Sequence, residues 1–304
     1  ALGKDTWAKI SKANFSAKQE KEIISKIKSN YNDGNWYNRQ QLQLGKTIYS
    51  REKKLKKLNI SKGRKVAVVF SHILFDATFF YGESIYEDYH TWLIETIKCA
   101  IKNDNLDWII KIHPANVWHS KTGKGVQNLE KDLLKNKFGK LPKHIHFMDA
   151  DTEINTYSLF EAIDLGVTVR GTIGMELPCW GIPVVTAGTG RYSGNGFTID
   201  PNNQVDYENI LLNAHNIKVM ENKTVTLARK YAWGTLIGRP FPIESFIIDT
   251  NKLNFGLPEL KQRTELSKNL VKNGLVGDDI KTVVKWMSNG IDSDLLNDNL
   301  KEDL

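Results

Sequence analysis

The sequence predicts an α/β protein with a Rossmann-like, doubly wound parallel sheet and flanking helices. First, between residues 65 and 201 short apolar runs alternate with segments of helical periodicity. Second, each run is apolar throughout rather than at every other residue, as expected of a parallel strand buried on both faces. Third, the runs end in small polar residues or glycines, as expected at the carboxyl edge of such a sheet, where ligands bind.

Five strands are expected, separated by helices. The predicted strands are K-V-A-V-V-F-S-H (65–72), D-W-I-I-K-I-H-P (107–114), H-I-H-F-M-D (144–149), Gly166–Val169 and Pro183–Ala187. The helices expected between the first four run from about Asp88 to Lys102, over 128–137 and over 156–163, with Asn155 or Thr152 as N-cap of the last.

The segments on either side of these strands are predicted to be helical. Residues 1–60 are polar and lysine-rich, with helical spacing at 17–28 and about 39–57, and are interpreted as a linker or accessory segment. Residues 61–204 form the predicted Rossmann-like domain. Residues 205–304 carry three or more further helical segments and are expected to pack on that domain.

The composition and net charge limit the kinds of function that this protein can have. The chain has 304 residues, of which 40% are hydrophobic, and a net charge of +7. A basic excess favours an anionic partner such as a nucleotide or a phospholipid surface, but no RNA-binding or helix-turn-helix pattern supports nucleic acid. No apolar run approaches the roughly 18 residues of a membrane span, and no signal-peptide pattern is present, so we expect a cytoplasmic protein. The inner face of the cytoplasmic membrane is an alternative location.

The stretch Asp164–Pro201 carries the clearest indication of a ligand site. A buried strand is followed by the turn G-T-I-G (171–174), which opens a short helix. Such a turn presents backbone N–H groups and the positive end of a helix dipole to an anion, so Gly171, Thr172 and Gly174 are candidate phosphate contacts. Glu176 is close enough to reach the hydroxyl groups of a ribose. The alternative is that these glycines serve only tight packing.

Other candidate residues follow the remaining strands and should meet at the same edge of the sheet. The imidazole of His113, before Pro114, is positioned to donate to a phosphate, although a histidine at a strand end is often structural. Arg191 and Tyr192 lie in a glycine-rich loop and are candidates for a second anionic group. The residues expected at this edge are Ser71, His72, Asp76, His113, Pro114, Asn116, Asp149, Asp151, Arg170–Thr172 and Gly188–Thr198.

Several chemistries find no support in the sequence. His144 and His146 share a strand face but lack further ligands at metal-binding spacing, so no metal site is predicted. Asp149 and Asp151 resemble a carboxylate pair, but we interpret Asp151 and Thr152 as capping residues. The sequence contains no G-x-S-x-G, no Walker loop and no G-x-G-x-x-G after the first strand, which argues against a hydrolase, a P-loop enzyme and a dinucleotide oxidoreductase.

Together, four motifs resemble the bacterial capsule and surface polysaccharide biosynthesis proteins, which are similar to glycosyltransferases of the GT-B type. They are I-H-P-A-N (112–116), D-x-x-x-N-T-Y (151–157), G-T-I-G-M-E followed by G-I-P-V-V-T-A-G (171–188), and Y-S-G-N-G-F-T-I-D-P (192–201). The histidine-proline pair is similar to that of Kdo transferases and bacterial sialyltransferases, and F-D-A at 75–77 resembles a further motif of the group. Arg170 replaces a small polar residue of the family.

The resemblance implies the donor-binding, C-terminal domain of a GT-B glycosyltransferase. Its substrate would be a CMP-linked sugar such as CMP-Kdo, or a UDP- or GDP-linked one, with no metal or other cofactor. His113, Pro114, Arg170, Gly171, Thr172, Gly174 and Glu176 would contact the donor nucleotide, and the loop carrying Gly188, Arg191 and Tyr192 would close over the sugar or diphosphate. The acceptor would be a glycan or glycolipid.

A GT-B enzyme needs two such domains, and the sequence predicts one. We therefore expect the acceptor domain to be missing or reduced to helices. In this family the catalytic base commonly comes from the other domain; the best local candidates are Asp76 and then His72. Two alternatives are a sugar-nucleotide epimerase or hydrolase, and a non-catalytic nucleotide- or glycan-binding module that docks through its lysine-rich segment to a membrane-bound polysaccharide assembly complex.

Overall fold

The computed structural model confirms the α/β class with a doubly wound parallel sheet. It describes residues 2–32, 43, 45–60, 63–74, 76, 82–116, 129–242, 268, 277–290 and 294–296. The strands are β1 (Lys65–Phe70), β2 (Leu106–Lys111), β3 (Ile145–Met148), β4 (Leu165–Thr168) and β5 (Val184–Thr186). They are all parallel and lie in the order β3-β2-β1-β4-β5. The strand order therefore runs from β1 to β3 in one direction and from β1 to β5 in the other. The crevice beyond the carboxyl ends of β1 and β4, where the direction reverses, is the topological switch point.

Both faces of the sheet are covered by helices. The described α-helices are α1 (Lys4–Lys12), α2 (Ala17–Asn32), α3 (Arg51–Lys57), α4 (Tyr89–Lys102), α5 (Leu129–Phe138), α6 (Ile173–Glu176), α7 (Gln204–Leu212), α8 (Asn222–Trp233) and α9 (Asp278–Ser288). Val66 and Val68 of β1 face a core shared with α1, α2, α3, α6 and α8, whereas Ala67 and Val69 face α4, α5 and α7. This two-sided burial explains why the strands are apolar throughout.

The N-terminal helices belong to the core on the first of these faces. Ile23 and Ile27 of α2 are fully buried and pack beside α8. The helix predicted over 39–57 is wrong for residues 45–50, and its first residues lie outside the described ones. Thr47 forms a parallel bridge with Ile154, with the Thr47 N–H donating to the Glu153 carbonyl at 2.7 Å. Because its backbone pairs in this way, the helix begins only at Arg51.

The segment before β4 differs from the prediction in detail. Residues Thr156–Glu161 form a 3₁₀-helix whose cap is Asn155, with the Asn155 side chain accepting from the Tyr157 N–H. The capping role predicted for Asp151 and Thr152 is wrong, since they precede this cap by several residues. Asp149 instead pairs with Lys131 at 2.5 Å.

The described part of the C-terminal segment is mostly helical. Helices α7, α8 and α9 occupy three of the predicted stretches, while P-E-L-K-Q-R-T-E-L (258–266) lies outside the described residues. Helix α8 runs directly into a π-helical turn, Gly234–Gly238. Within the described ranges, no helix combines the length and apolar character that crossing a bilayer requires.

Candidate functional site

The turn after β4 is held in shape by its own side chains. The Thr168 hydroxyl accepts the Gly171 N–H at 3.2 Å, and the Tyr192 hydroxyl donates to the Gly171 carbonyl at 2.7 Å. A Cβ atom on Gly174 would lie 2.1 Å from the Tyr192 hydroxyl oxygen, so only glycine permits this approach. The glycine-rich loop therefore packs against the turn through Tyr192.

A buried hydrogen-bond network fixes the segments that follow β1 and β2. The Glu130 carboxyl group, fully buried at the start of α5, accepts from the Ser71 hydroxyl at 3.1 Å and from the Asn116 amide at 2.9 and 3.0 Å. The Ser71 hydroxyl in turn accepts the His113 N–H at 3.0 Å. Burial raises the pKa of Glu130, and its hydrogen bonds with Ser71 and Asn116 counter part of that increase. The network positions His113 relative to the end of β1.

The two histidines of the site have opposite tautomers when neutral. The Ala115 N–H donates to Nδ1 of His113 at 3.2 Å, so the ring proton lies on Nε2, which suits donation to a phosphate oxygen. In His72, Nε2 accepts the Val169 N–H at 3.2 Å, so the proton lies on Nδ1.

His72 is therefore a poor candidate for the catalytic base. Its ring stacks on Tyr89 with centroids 4.4 Å apart, and the one lone pair of the neutral ring is engaged by a backbone amide. Burial, followed by the influence of His113 and Arg170, lowers the pKa of His72 to about 3. The predicted role of His72 as a base is corrected on these grounds to that of a neutral donor. Asp76, the first candidate, stays a prediction.

Two adjoining cavities open at the carboxyl edge of the sheet. The outer cavity, of about 520 Å³, is lined by His72, Asp76, Tyr89, His113, Arg170–Thr172, Met175, Gly190–Tyr192, Tyr231, Thr235 and Leu236. The inner cavity, of about 180 Å³, is lined by Asn30, Tyr31, Gln43, Phe70, Ser71, His72, Lys111, His113, Pro114, Thr156, Thr168 and Gly171–Ile173. His72, His113, Gly171 and Thr172 line both. Two histidines, a glycine turn and two arginines thus meet at the switch point of the sheet.

Most of the predicted site residues line one of these cavities. Of the residues predicted to contact the donor or to act as base, Gly174, Glu176 and Gly188 line neither cavity, and within the wider set expected at this edge the same holds for Asn116, Asp149, Asp151, Thr189 and Ser193–Thr198. Gly174 and Gly188 admit close neighbours instead, the ring of Tyr192 and, 2.9 Å from a Cβ on Gly188, the Glu83 carbonyl. These two glycines therefore have a packing role, and their direct contact with a ligand stays a prediction. Arg170 faces the outer cavity and also donates to the Ser84 hydroxyl.

Glu176, the predicted ribose contact, lies in the core, and its contact with a ligand stays a prediction. Glu176 is fully buried, and its carboxyl group accepts a hydrogen bond from the Tyr31 hydroxyl. Burial raises the pKa of Glu176 to about 7, with the Tyr31 bond acting in the opposite direction. Tyr31 itself lines the inner cavity, so the hydrogen bond joins Glu176 to the wall of that cavity.

Other cavity residues were not predicted. Asn30, Tyr31 and Gln43 come from the N-terminal segment, and Tyr231 and Thr235 come from α8 and its π-helical turn. Sequence patterns near these residues indicate helix or loop and nothing about a ligand. For Lys111 the sequence does contain an indication of a role in the site, because this lysine ends an apolar strand two residues before His113. The described residues include no cluster of three or more His, Cys, Asp or Glu side chains suited to hold a metal ion.

Comparisons with solved structures find distant likenesses. The Kdo 2,4-transferase of KpsC from Thermosulfurimonas dismutans is 14% identical, over 71% of this chain and 56% of that one, with a TM-score of 0.38. A glycosyltransferase from Rickettsia africae is 15% identical, over 81% and 55%, with a TM-score of 0.38. UDP-GlcNAc 2-epimerase from Neisseria meningitidis is 14% identical, over 72% and 53%, with a TM-score of 0.38. The matches span little more than half of each of these structures.

No curated protein sequence matches the chain. A family model does: residues 6–224 match that of the capsule polysaccharide biosynthesis proteins. The match includes all five strands and every residue of the predicted site. The chain belongs to the capsule polysaccharide biosynthesis protein family.

Proposed function

We propose that this chain is the donor-binding part of a glycosyltransferase that moves a sugar from a nucleotide-sugar to a capsule or other surface polysaccharide. The observation that carries the proposal is the outer cavity. There His113, the Gly171–Thr172 turn and two arginines line one space at the switch point of the parallel sheet. These are N–H and cationic groups, which suit the phosphates of a nucleotide.

The chemistry follows from what such groups do in a transition state. Departure of the nucleotide leaves negative charge on a phosphate oxygen, and donors already aimed at that oxygen stabilise the charge without reorganisation. In this proposal His113, Thr172 and the arginines serve this purpose, so that transfer needs no divalent cation. Asp76, which lines the same cavity, is the proposed base that accepts the proton of the acceptor hydroxyl.

The family and the histidine-proline motif support a CMP-linked acid sugar such as CMP-Kdo as donor, with a UDP-linked sugar as the next choice. The acceptor, a glycan or glycolipid, would be bound by a part of the protein outside the sheet described above.

Calorimetric titration with CMP, UDP and GDP tests the proposal. At least one nucleotide should bind in the micromolar to millimolar range, equally well in excess EDTA. His113→Ala and Thr172→Ala should each weaken binding about tenfold or more, since each removes a hydrogen bond to a charged group. His144→Ala is the matched control, because the Nε2 of His144 bonds the Ala100 carbonyl away from both cavities.

Either of two results would contradict the proposal: no nucleotide binds, or the His113 and Thr172 variants bind as tightly as the unaltered chain. Release of free sugar or of an epimer from a bound nucleotide-sugar, with no acceptor present, would point to hydrolase or epimerase chemistry instead.

A further inference from the structure

The inner cavity contains a buried lysine that has no counter-ion among the described residues. Lys111, the last residue of β2, is 5% exposed and lines this cavity beside His113. Its ammonium group makes one long hydrogen bond, 3.4 Å to the Ile112 carbonyl. Among the described residues no carboxylate pairs with it, none of those lining the cavity is acidic, and the charged side chain nearest in effect is another cation, Lys46.

An ammonium group in this position is costly to the apo protein. A buried charge without a partner loses its hydration and gains no attraction in return. Burial, followed by the charge of Lys46, lowers the pKa of Lys111 to about 7. The other titratable side chains that face the cavity are His72, His113 and Tyr31. An anion that enters this cavity would therefore be surrounded by cationic and neutral side chains, with no acidic one among the described residues that line it.

A second unpaired group lies in the same cavity. Asn30, on α2, is 2% exposed, and its Oδ1 has no hydrogen-bond partner in the part of the chain that the structure describes. A buried carbonyl oxygen that is left unpaired destabilises the protein, because it has lost its hydrogen bonds to water and gained none in return. A hydroxyl group on a ligand would satisfy it. Among the described residues, Lys111 thus lacks an anionic partner and the Oδ1 of Asn30 lacks a hydrogen-bond donor.

We propose that the inner cavity is a subsite for an anionic group of the substrate, a carboxylate or a phosphate, held by Lys111, with a neighbouring hydroxyl group donating to Asn30. Its volume of about 180 Å³ is several times what one bound water requires. Because it shares four lining residues with the outer cavity, a ligand whose nucleotide lies in the outer cavity extends directly into it. In this last respect the inference rests on the proposed function.

The test uses inorganic phosphate and glucuronate, a sugar that carries one carboxylate, titrated separately into the full chain at pH 7 by calorimetry. At least one should bind, and Lys111→Met should weaken it tenfold or more. Lys54→Met is the matched control: Lys54 is also buried, but it donates to the Ser158 carbonyl and does not line the cavity. Asn30→Ala should weaken glucuronate, which carries hydroxyl groups, by about three- to tenfold.

Proton uptake gives a second reading that does not depend on the stability of a variant. Because burial lowers the pKa of Lys111 to about 7, an anion that binds its protonated form should draw in a fraction of a proton near that pH. This appears as a binding enthalpy that depends on the ionisation enthalpy of the buffer. The phosphate and glucuronate arms show which anion the subsite prefers.

The inference is overturned if neither anion binds, or if Lys111→Met binds both as the unaltered chain does. Its failure can be told apart from that of the proposed function. If nucleotides bind but no anion binding depends on Lys111, only the subsite proposal fails. If anion binding depends on Lys111 but no nucleotide binds, only the proposed nucleotide-sugar donor fails.

Discussion

The hydroxyl group of Tyr31, near the end of α2, donates a hydrogen bond to the carboxyl group of Glu176, the last residue of α6. Both side chains are buried, and the Asn155 amide donates to the Tyr31 carbonyl at 3.0 Å. The N-terminal segment is thereby attached to the helix that follows the glycine turn. A carboxyl group that the sequence places at the ligand is instead part of the core.

The first prediction is that Glu176 makes the protein less stable as the pH rises. Its folded pKa of about 7 lies above the ordinary carboxyl value of 4.5, so between these two values the folded state holds a proton that the unfolded state has released. Its contribution is fully present below about pH 4.5 and is lost as the pH rises through about 7, by a total on the order of 3 kcal/mol. Glu176→Gln, which stays neutral, should be more stable than the unaltered chain at pH 8 and similar at pH 4.5. Urea unfolding at both values measures this, and a parallel pH dependence in the two proteins would contradict it.

The second prediction concerns the other partner. Tyr31→Phe removes the hydrogen bond that lowers the pKa of Glu176, so the pKa should rise further and the carboxylate should become costlier. We expect a loss of about 1–2 kcal/mol that is larger at pH 8 than at pH 5, measured by urea unfolding. Tyr86→Phe is a matched control, since the Tyr86 hydroxyl also faces a carboxylate, Glu208 at 3.4 Å, on the opposite face of the sheet. An equal pH dependence in both variants would exclude the proposed coupling.

The strands of the fold could be predicted because their signal is local. Val66 to Phe70 form one apolar run, and the run is apolar because successive side chains enter the two separate cores. The same locality made the turn at Gly171 and the histidine at 113 visible, since both directly follow strands. Where β1 gives way to loop, Ser71 and His72 lie at the carboxyl edge as expected.

What could not be predicted depends on partners far away in sequence. Tyr31 and Glu176 are separated by 145 positions, and nothing near either one indicates their contact. The tautomer of His72 is set by the Val169 N–H, 97 positions away. The N-terminal segment is polar enough to look like a linker, although Ile23 and Ile27 are fully buried, because only a narrow face of α2 is apolar.

The third prediction tests the network below the two histidines. Glu130→Gln places an amide N–H where donors from Ser71 and Asn116 already point, and the Ser71 oxygen is engaged by the His113 N–H. Stability should fall by about 1–3 kcal/mol, and any nucleotide affinity should fall with it because His113 loses its support. Both are measured on one preparation, by urea unfolding and calorimetry.

Glu95→Gln provides the control for Glu130. Glu95 lies on α4 and pairs with Lys98 at 2.7 Å at a solvent-accessible position, so its substitution should change stability by less than about 0.5 kcal/mol. If Glu130→Gln is as mild as this control, the buried network does not support the site as described.

The fourth prediction separates packing from helix propensity at Gly174. In an ordinary helix, replacing glycine with alanine stabilises by roughly 0.5–1 kcal/mol. Here the new Cβ would lie 2.1 Å from the Tyr192 hydroxyl oxygen and 2.4 Å from its ring carbon, and Tyr192 is 2% exposed, so the ring has little room to move. Gly174→Ala should therefore destabilise by about 1–3 kcal/mol. Tyr192→Phe loses only the hydrogen bond to the Gly171 carbonyl, so it should lower the stability by about 1 kcal/mol. This value measures how much of the destabilisation in Gly174→Ala comes from losing that hydrogen bond. Urea unfolding of both variants decides the matter: a stabilised Gly174→Ala protein would mean that Tyr192 does not hold the glycine loop against the turn.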